Sequence, residues 1–449
     1  MKKNTLLFLL IVVIASTASS QNIVFADTLP SLWVEQLSDS GYIVVGDSFL
    51  RKIDSNGAVL WKKQIVSSAG YGNYVQPTVD GGYIISGNIQ VTSTSNSGEM
   101  YLVKTNSSGD TLWSKIFGGT NYEEAHAVIE DSNGNYLIVG ETNSFGTSNP
   151  NYSDVYLVKT NSNGDTLWTK TYGGSSSDAG YSIIQTNGDY LIAGRTVVNN
   201  YNNGYLLKIN NAGNLLWSKL LGNSTYSALH QIKKTTDGGY IIVGTSDANS
   251  PMYLAKLDSN ADTLWTKTFG PFSSWGGDGF SVDETNDGGF IVGGALYPGG
   301  PPTGQNYLAK TDSNGNIQWE LKNNIAGYWN SGVRSVHQTY DNGYIIGTWA
   351  FLIKTDSLNI AATSNISASS FFNIYPNPTQ EYVVLDFHLN SPNISIKLYD
   401  LLGKEKCIGK PFINNNEQLK INLSFLPAGI YFLKLETYQG VEVKKIIKY

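Results

Sequence analysis

The stretches DGGYIIVGTS (residues 237–246) and YLAKLDSNADTLWTKTFG (residues 253–270) recur as near-copies along most of this chain. The aromatic of the first piece serves as a ruler: Tyr42, Tyr83, Tyr136, Tyr190, Tyr240, Phe290 and Tyr344, spaced by 41, 53, 54, 50, 50 and 54 residues. Every copy continues with a lysine (Lys52, Lys104, Lys159, Lys208, Lys256, Lys310, Lys354). Six of the seven then carry a tryptophan (Trp61, Trp113, Trp168, Trp217, Trp265, Trp319). A period near 50 residues marks a supersecondary unit that stacks or closes on itself.

Each unit reads as four short strands. In the third copy HAVIED (126–131) turns at SNGN into YLIVGET, and VYLVKT turns at NSNGD into TLWTKTYGG. The runs are β-branched and aromatic, and their Asn/Asp/Gly turns supply the positive φ of tight hairpins. Four-stranded sheets at this period are propeller blades. The expected fold is therefore all-β, a seven-bladed β-propeller followed by a small C-terminal β-sandwich, with six or eight blades left open. The seventh unit has FLIKTD (351–356) but no outer strand after it. NIVFA (22–26) precedes the first unit without a place of its own, and it is expected to complete blade seven.

Composition agrees with this reading and narrows the partners. The 449 residues include 47 Gly, 28 Tyr and 10 Trp but only 15% charged side chains, as expected for many short strands and turns. A net charge of −6 and the lack of a Lys/Arg cluster argue against nucleic acid. The single cysteine, Cys407, allows no internal disulfide and no cysteine zinc site, and it reads as a small buried apolar residue. No cofactor is expected, and the protein is expected to be a monomer.

Both ends of the chain point outward. Met1-Lys2-Lys3, the apolar run LLFLLIVVIA (6–15) and the small residues of ASTASSQ form a signal peptide, residues 1–20, with cleavage expected after Ser20. The propeller is assigned to 21–358, a Ser/Ala/Asn-rich linker to 359–370 and the terminal domain to 371–449.

The hairpin LDSNADTLW resembles the repeats of pyrroloquinoline-quinone propellers and, more loosely, the Asp-box turn of sialidase-like propellers. That likeness bears on the blade and not on chemistry. The terminal region contains Tyr375-Pro376-Asn377-Pro378, YDLLGK with Gly403, LPAGIYFLKL with Gly429 and Tyr431, and a basic KKIIK end with Lys444 and Lys445. In that order these segments resemble the type A C-terminal sorting domain of the Bacteroidetes type IX secretion system. The resemblance implies a small β-sandwich, the type IX machinery as a partner and passage across the outer membrane. Release or attachment at the cell surface would follow.

Within a blade, the loops between strands two and three and the segments between blades share one face of the ring, and here they are the long, varied ones. Function in repeat folds sits on such loops. Counted back from each ruler aromatic, Trp275 and Trp329 share position minus fifteen, and Tyr122 and Tyr226 share minus fourteen. Glu124, Asp178 and Asp278 share minus twelve, and His126, His230 and Arg334 share minus ten. Convergence of these residues at the channel mouth would suit a glycan, because an aromatic platform stacks on sugar and a few polar groups orient it. An extracellular protein ligand stays open, and so does simple packing between blades. Further aromatics come from the loops 144–154, 197–204 and 297–306.

Two other functions compete with binding. A polysaccharide-degrading enzyme could use Glu124 with Asp178 or Asp278 as an acid/base pair, or His126 or His230 as the base of a lyase. A structural or adhesion role needs neither. The two histidines lack ordered ligand spacing, so no metal site is expected from them. The repeated lysines read as architectural, as cation–π partners of the hairpin tryptophans. The DSNGD-type turns read as turn chemistry more than calcium cages, because several begin with Asn (Asn106, Asn161, Asn210).

Overall fold

The computed structural model describes residues 23–27, 30–66, 70–90, 98–146, 151–222, 227–246, 252–269, 276–297, 305–323, 332–349, 351–355, 372–387, 395–400, 404–406, 412–413, 418–437 and 440–449. The expected signal peptide and linker, along with Tyr226, Trp275, Trp329 and Gly403, lie outside the described residues. The described residues form strands, turns and bends, with no helix.

Seven antiparallel four-stranded sheets make the propeller. Six are built from consecutive strands. The seventh joins Val333–Gln338, Tyr344–Thr348 and Leu352–Thr355 to the N-terminal strand Ile23–Asp27, whose register runs from Ile23 opposite Thr355 to Asp27 opposite Leu352. The chain's beginning therefore covers the edge left by the missing outer strand.

The sequence pattern follows from packing. Middle strands such as Tyr240–Thr245 and Met252–Leu257 are buried along their whole length because a neighbouring sheet covers each face. Outer strands such as Thr111–Phe117 carry only exposed and half-buried positions. An apolar cluster fills each gap between successive blades, including Val34, Val44, Ile345 and Leu352 between blades seven and one.

The tryptophans work across these gaps. Trp61, Trp113, Trp265 and Trp319 each meet the ruler aromatic of the next blade, Tyr83, Tyr136, Phe290 and Tyr344, at ring separations of 5.8–6.1 Å. Each such pair adds about 0.5–1.5 kcal/mol beyond buried area. Trp61 and Trp113 also lie against Gly109 and Gly164 of the next hairpin turn, where a side chain would collide with the indole. A polar tie repeats beside them: Glu130, Gln185, Glu284 and Gln338 accept a hydrogen bond from a turn amide of the preceding blade. Gln36 does the same to Tyr340 at 2.9 Å across the closure.

The seven lysines have a different partner from the one expected. Each pairs with the aspartate at the turn between strands one and two of its own blade: Lys52–Asp39, Lys104–Asp80, Lys159–Asp131, Lys208–Asp189, Lys256–Asp237, Lys310–Asp287 and Lys354–Asp341, at 2.6–3.5 Å. Six of the lysines stand opposite their hairpin tryptophan in the strand register, but the ammonium is held by the aspartate of the turn between strands one and two. The outer hairpins use Asx turns; Asp258 Oδ1 accepts from the amides of Asn260 and Asp262 at 2.9 and 2.8 Å. Segment 197–204, expected as a loop, is instead an extended hairpin that turns at Asn199-Asn200, with φ of 53° and 67°.

The C-terminal strands form two further four-stranded sheets. Val383, Leu385 and Ile421 of one share a core with Leu398, Leu433 and Ile446 of the other, as in a sandwich.

Candidate functional site

The innermost strand of a blade faces the central channel, and in six of the seven it carries a one-residue β-bulge. The bulged residues are Asn73, His126, Tyr181, His230, Phe280 and Arg334. A bulge re-aims the extra side chain out of the regular alternation. The YIIVG signature provides the room. A Cβ on Gly87, Gly140, Gly194, Gly244 or Gly294 would collide with the carbonyl oxygen of Tyr71, Glu124, Ala179, Ala228 or Asp278, just before each bulge.

These side chains form a continuous arc around the channel. Asn73 Nδ2 donates to the Ala125 carbonyl at 2.8 Å. The His126 and Tyr181 rings meet at 5.0 Å, Tyr181 and His230 stack at 5.2 Å and 30°, and His230 meets Phe280 at 5.3 Å. The Arg334 guanidinium lies 3.9 Å over Phe280 and 5.4 Å from Trp349. His126, His230 and Arg334 thus share one level, as expected from position minus ten. They do so at a bulge in mid-strand and not at the strand start. The two histidines do not meet, because Tyr181 stands between them.

Asp178 departs from its expected place. The two-residue turn Asn187-Gly188 is one residue shorter than in the other blades, so Asp178 aligns with Glu123 and not with Glu124 and Asp278. Asp178 is 1% exposed and accepts from the Gly174 amide at 2.8 Å, just as Glu123 accepts from Gly119. Burial pushes its carboxyl upward. Tyr181 was missed for the same reason, since it stands at minus nine.

Glu124 and Asp278 do face the channel. Glu124 accepts from Tyr122 at 2.5 Å and from Tyr71 at 3.4 Å, so Tyr122 orients a carboxylate here and is not a free platform. Asp278 accepts from Thr245 at 2.5 Å and Tyr297 at 3.3 Å. Where those acids stand, blades four and five carry Ala179 and Ala228, and a cavity of about 340 Å³ opens beside them. Tyr181, Arg195, Asn202, Ser227, Ala228, His230, Thr245 and Asp278 line it. Arg195, Asn202 and Thr245, which come from strands two and three, carry no repeat signal in the sequence.

Burial, countered in part by Asp278, pushes the His230 imidazole down to about 4, so it is neutral at pH 7. His126 moves the other way. Burial disfavours its charge, but the neighbouring carboxylates of Glu141 and Glu124 outweigh that and raise it. Farther along the inner strands, Lys233 binds Asp283 at 2.7 Å and lies 3.1 Å from His337 Nδ1 of blade seven.

In the C-terminal sandwich the YPNP segment is docked onto the last strand. Asn377 Oδ1 accepts from the Ile447 amide at 2.9 Å, and Thr379 exchanges backbone bonds with Ile447 and Tyr449. Tyr431 is buried, with its hydroxyl on the Pro427 carbonyl at 2.8 Å, while Gly429 begins the strand that pairs with the basic end.

No curated protein matches the chain in sequence. Among solved structures, one chain of a mitotic checkpoint complex is 10% identical over 76% of this chain and 93% of its own, with a TM-score of 0.51. A protein of unknown function from Bacteroides caccae is 16% identical over 63% and 93%, with a TM-score of 0.39. Sqt1 from Chaetomium thermophilum is 11% identical over 73% and 83%, with a TM-score of 0.45. At such identities the first of these likenesses speaks to fold alone. Residues 373–449 match the family described as the secretion system C-terminal sorting domain. The chain is therefore a β-propeller repeat protein that ends in a type IX sorting domain.

Proposed function

We propose that this is a bacterial surface or secreted propeller that holds a carbohydrate at the channel mouth without altering it. The sorting domain implies export through the type IX machinery. Removal of residues 1–20, and then release or attachment at the surface of a Bacteroidetes cell, complete the expected route.

The observation that carries the reading is the stacked Tyr181–His230 platform at the wall of the 340 Å³ cavity. An aromatic wall with a few fixed polar groups is what sugar recognition needs, and the volume suits about one or two sugar units. A binding role is favoured over hydrolysis by the donor set. Asp278 is the one carboxylate among the described lining residues, whereas glycoside cleavage uses two. With its imidazole pushed down to about 4, His230 is also a poor general base at neutral pH.

The test is a glycan array probed with the purified chain and with Tyr181→Ala. Selective binding that falls at least tenfold in the variant is expected. Binding that is absent, or indifferent to Tyr181, sinks the carbohydrate reading and leaves a protein ligand or a structural role.

A further inference from the structure

Beside the cavity, blade three carries a combination that a β-sheet ordinarily avoids. Glu124 and Glu141 are direct cross-strand partners. Like charges placed opposite each other destabilise a sheet. The His126 bulge lies two residues beyond Glu124 and adds an imidazole to the same spot. Ligand atoms of Glu124, His126 and Glu141 all lie within 4.8 Å of one another.

The surroundings orient the two carboxylates without neutralising both. Tyr122 and Tyr71 donate to Glu124, and Ser153 donates to Glu141 at 2.7 Å. Arg195, at 3.7 Å from Glu141, offsets one negative charge. His126 Nε2 is buried, makes no hydrogen bond among the described residues and stands 3.8 Å from Glu141 Oε1. Two partly buried carboxylates and an orphaned imidazole nitrogen leave an open donor set.

We infer that Glu124, His126 and Glu141 bind a divalent cation of the zinc class. One nitrogen and two carboxylate oxygens suit Zn²⁺ or Mn²⁺, whereas Ca²⁺ prefers six or more oxygens. Contraction of the ligand atoms to tetrahedral separations, roughly 3.3 Å for bonds near 2.0–2.1 Å, needs side-chain movement of about 1 Å. The hydrogen bonds from Tyr71, Tyr122 and Ser153 act as outer partners that hold the carboxylates in place. Since Arg195 links Glu141 to Tyr181 through its Nε bond of 2.7 Å, the cation also fixes one wall of the cavity. The site stands independently of whether the cavity takes a sugar.

The competing occupant is a proton on His126. Untagged full-length protein, stripped with EDTA and dialysed against Zn²⁺, Mn²⁺ or Ca²⁺, separates the two by elemental analysis and calorimetry. The expected result is one Zn²⁺ or Mn²⁺ per chain, far weaker Ca²⁺ binding, and at least tenfold weaker Zn²⁺ binding in both His126→Ala and Glu124→Gln. Glu124→Gln keeps the side-chain shape, so it reports on the site even if His126→Ala folds poorly. A chain that takes up no stoichiometric metal, or whose uptake is unchanged in Glu124→Gln, overturns the inference and leaves His126 as a protonated ion-pair partner.

Discussion

Lys159→Met should destabilise the propeller far more than Lys104→Met, although the two lysines occupy the same repeat position and each is only 3% exposed. The difference lies in the aspartates. Asp131 is fully enclosed at 0% side-chain exposure, covered by Tyr190 of the next blade, whereas Asp80 is 58% exposed. Burial pushes the Asp131 carboxyl up, but the Lys159 ammonium and the Asn135 and Asn133 amides outweigh it and hold it at about 2. A fall from 3.8 to about 2 corresponds to about 2.4 kcal/mol. Breaking an enclosed pair costs about 3–5 kcal/mol because a charge is stranded. An exposed pair is worth only about 0.2–1 kcal/mol. Urea unfolding followed by tryptophan fluorescence should therefore show about 3 kcal/mol lost in Lys159→Met and at most about 1 kcal/mol in Lys104→Met. Lys159→Met with Asp131→Asn should recover most of the loss, because Asn keeps the oxygen that accepts from the Asn133 and Asn135 amides. Equal losses in the two single variants, or no recovery in the double, would refute the reasoning.

Other perturbations probe other parts of the molecule. Gly244→Ala places a methyl against the Ala228 carbonyl and should cost about 1–3 kcal/mol while abolishing ligand binding at the cavity, read by denaturation and calorimetry. The folded-state pKa of His230 is depressed, so its contribution is intact above pH 6.5 and is lost as pH falls toward about 4, by at most about 3 kcal/mol. Unfolding at pH 7 and pH 4.5 should show a smaller acid loss in His230→Gln than in wild type. Deletion of residues 21–27 removes the partner of Leu352–Thr355 and should raise protease sensitivity and aggregation through the bared edge. Asn377→Ala, which loses the bond to the Ile447 amide, should leave more of the chain cell-associated on fractionation.

The blades were legible because each strand's periodicity is local. YLIVGET was read as 136–142 and forms Tyr136–Thr142. The N-terminal closing strand was legible because blade seven visibly lacked a strand. The Trp contacts were not, since an indole on one outer strand finds its partner 22–25 residues on, in the next blade. The lysines were misassigned for another reason: Lys256 does stand opposite Trp265 in the strand register, but its ammonium is held by Asp237, at 2.8 Å, in the turn between strands one and two.

At the site, counting from the ruler aromatic put His126, His230 and Arg334 at one level, though the level is a mid-strand bulge and not the strand start. It failed in blade four, where a shorter Asn-Gly turn shifts Asp178 and Tyr181 by one residue. The glycine of YIIVG would have been the better reference, since it sits opposite the bulge. Glu141 and Arg195 stay hidden to such counting because they follow the glycine of YIIVG in the second strand, where the residue type changes from blade to blade.

The central claim is tested most directly by a crystal structure of the propeller with its tightest array ligand. A sugar ring stacked on Tyr181 and His230, with hydroxyls on Arg195, Asn202 or Asp278, is the expected result. A ligand seated on the outer strands, or on the face with the short DGG turns, would contradict it.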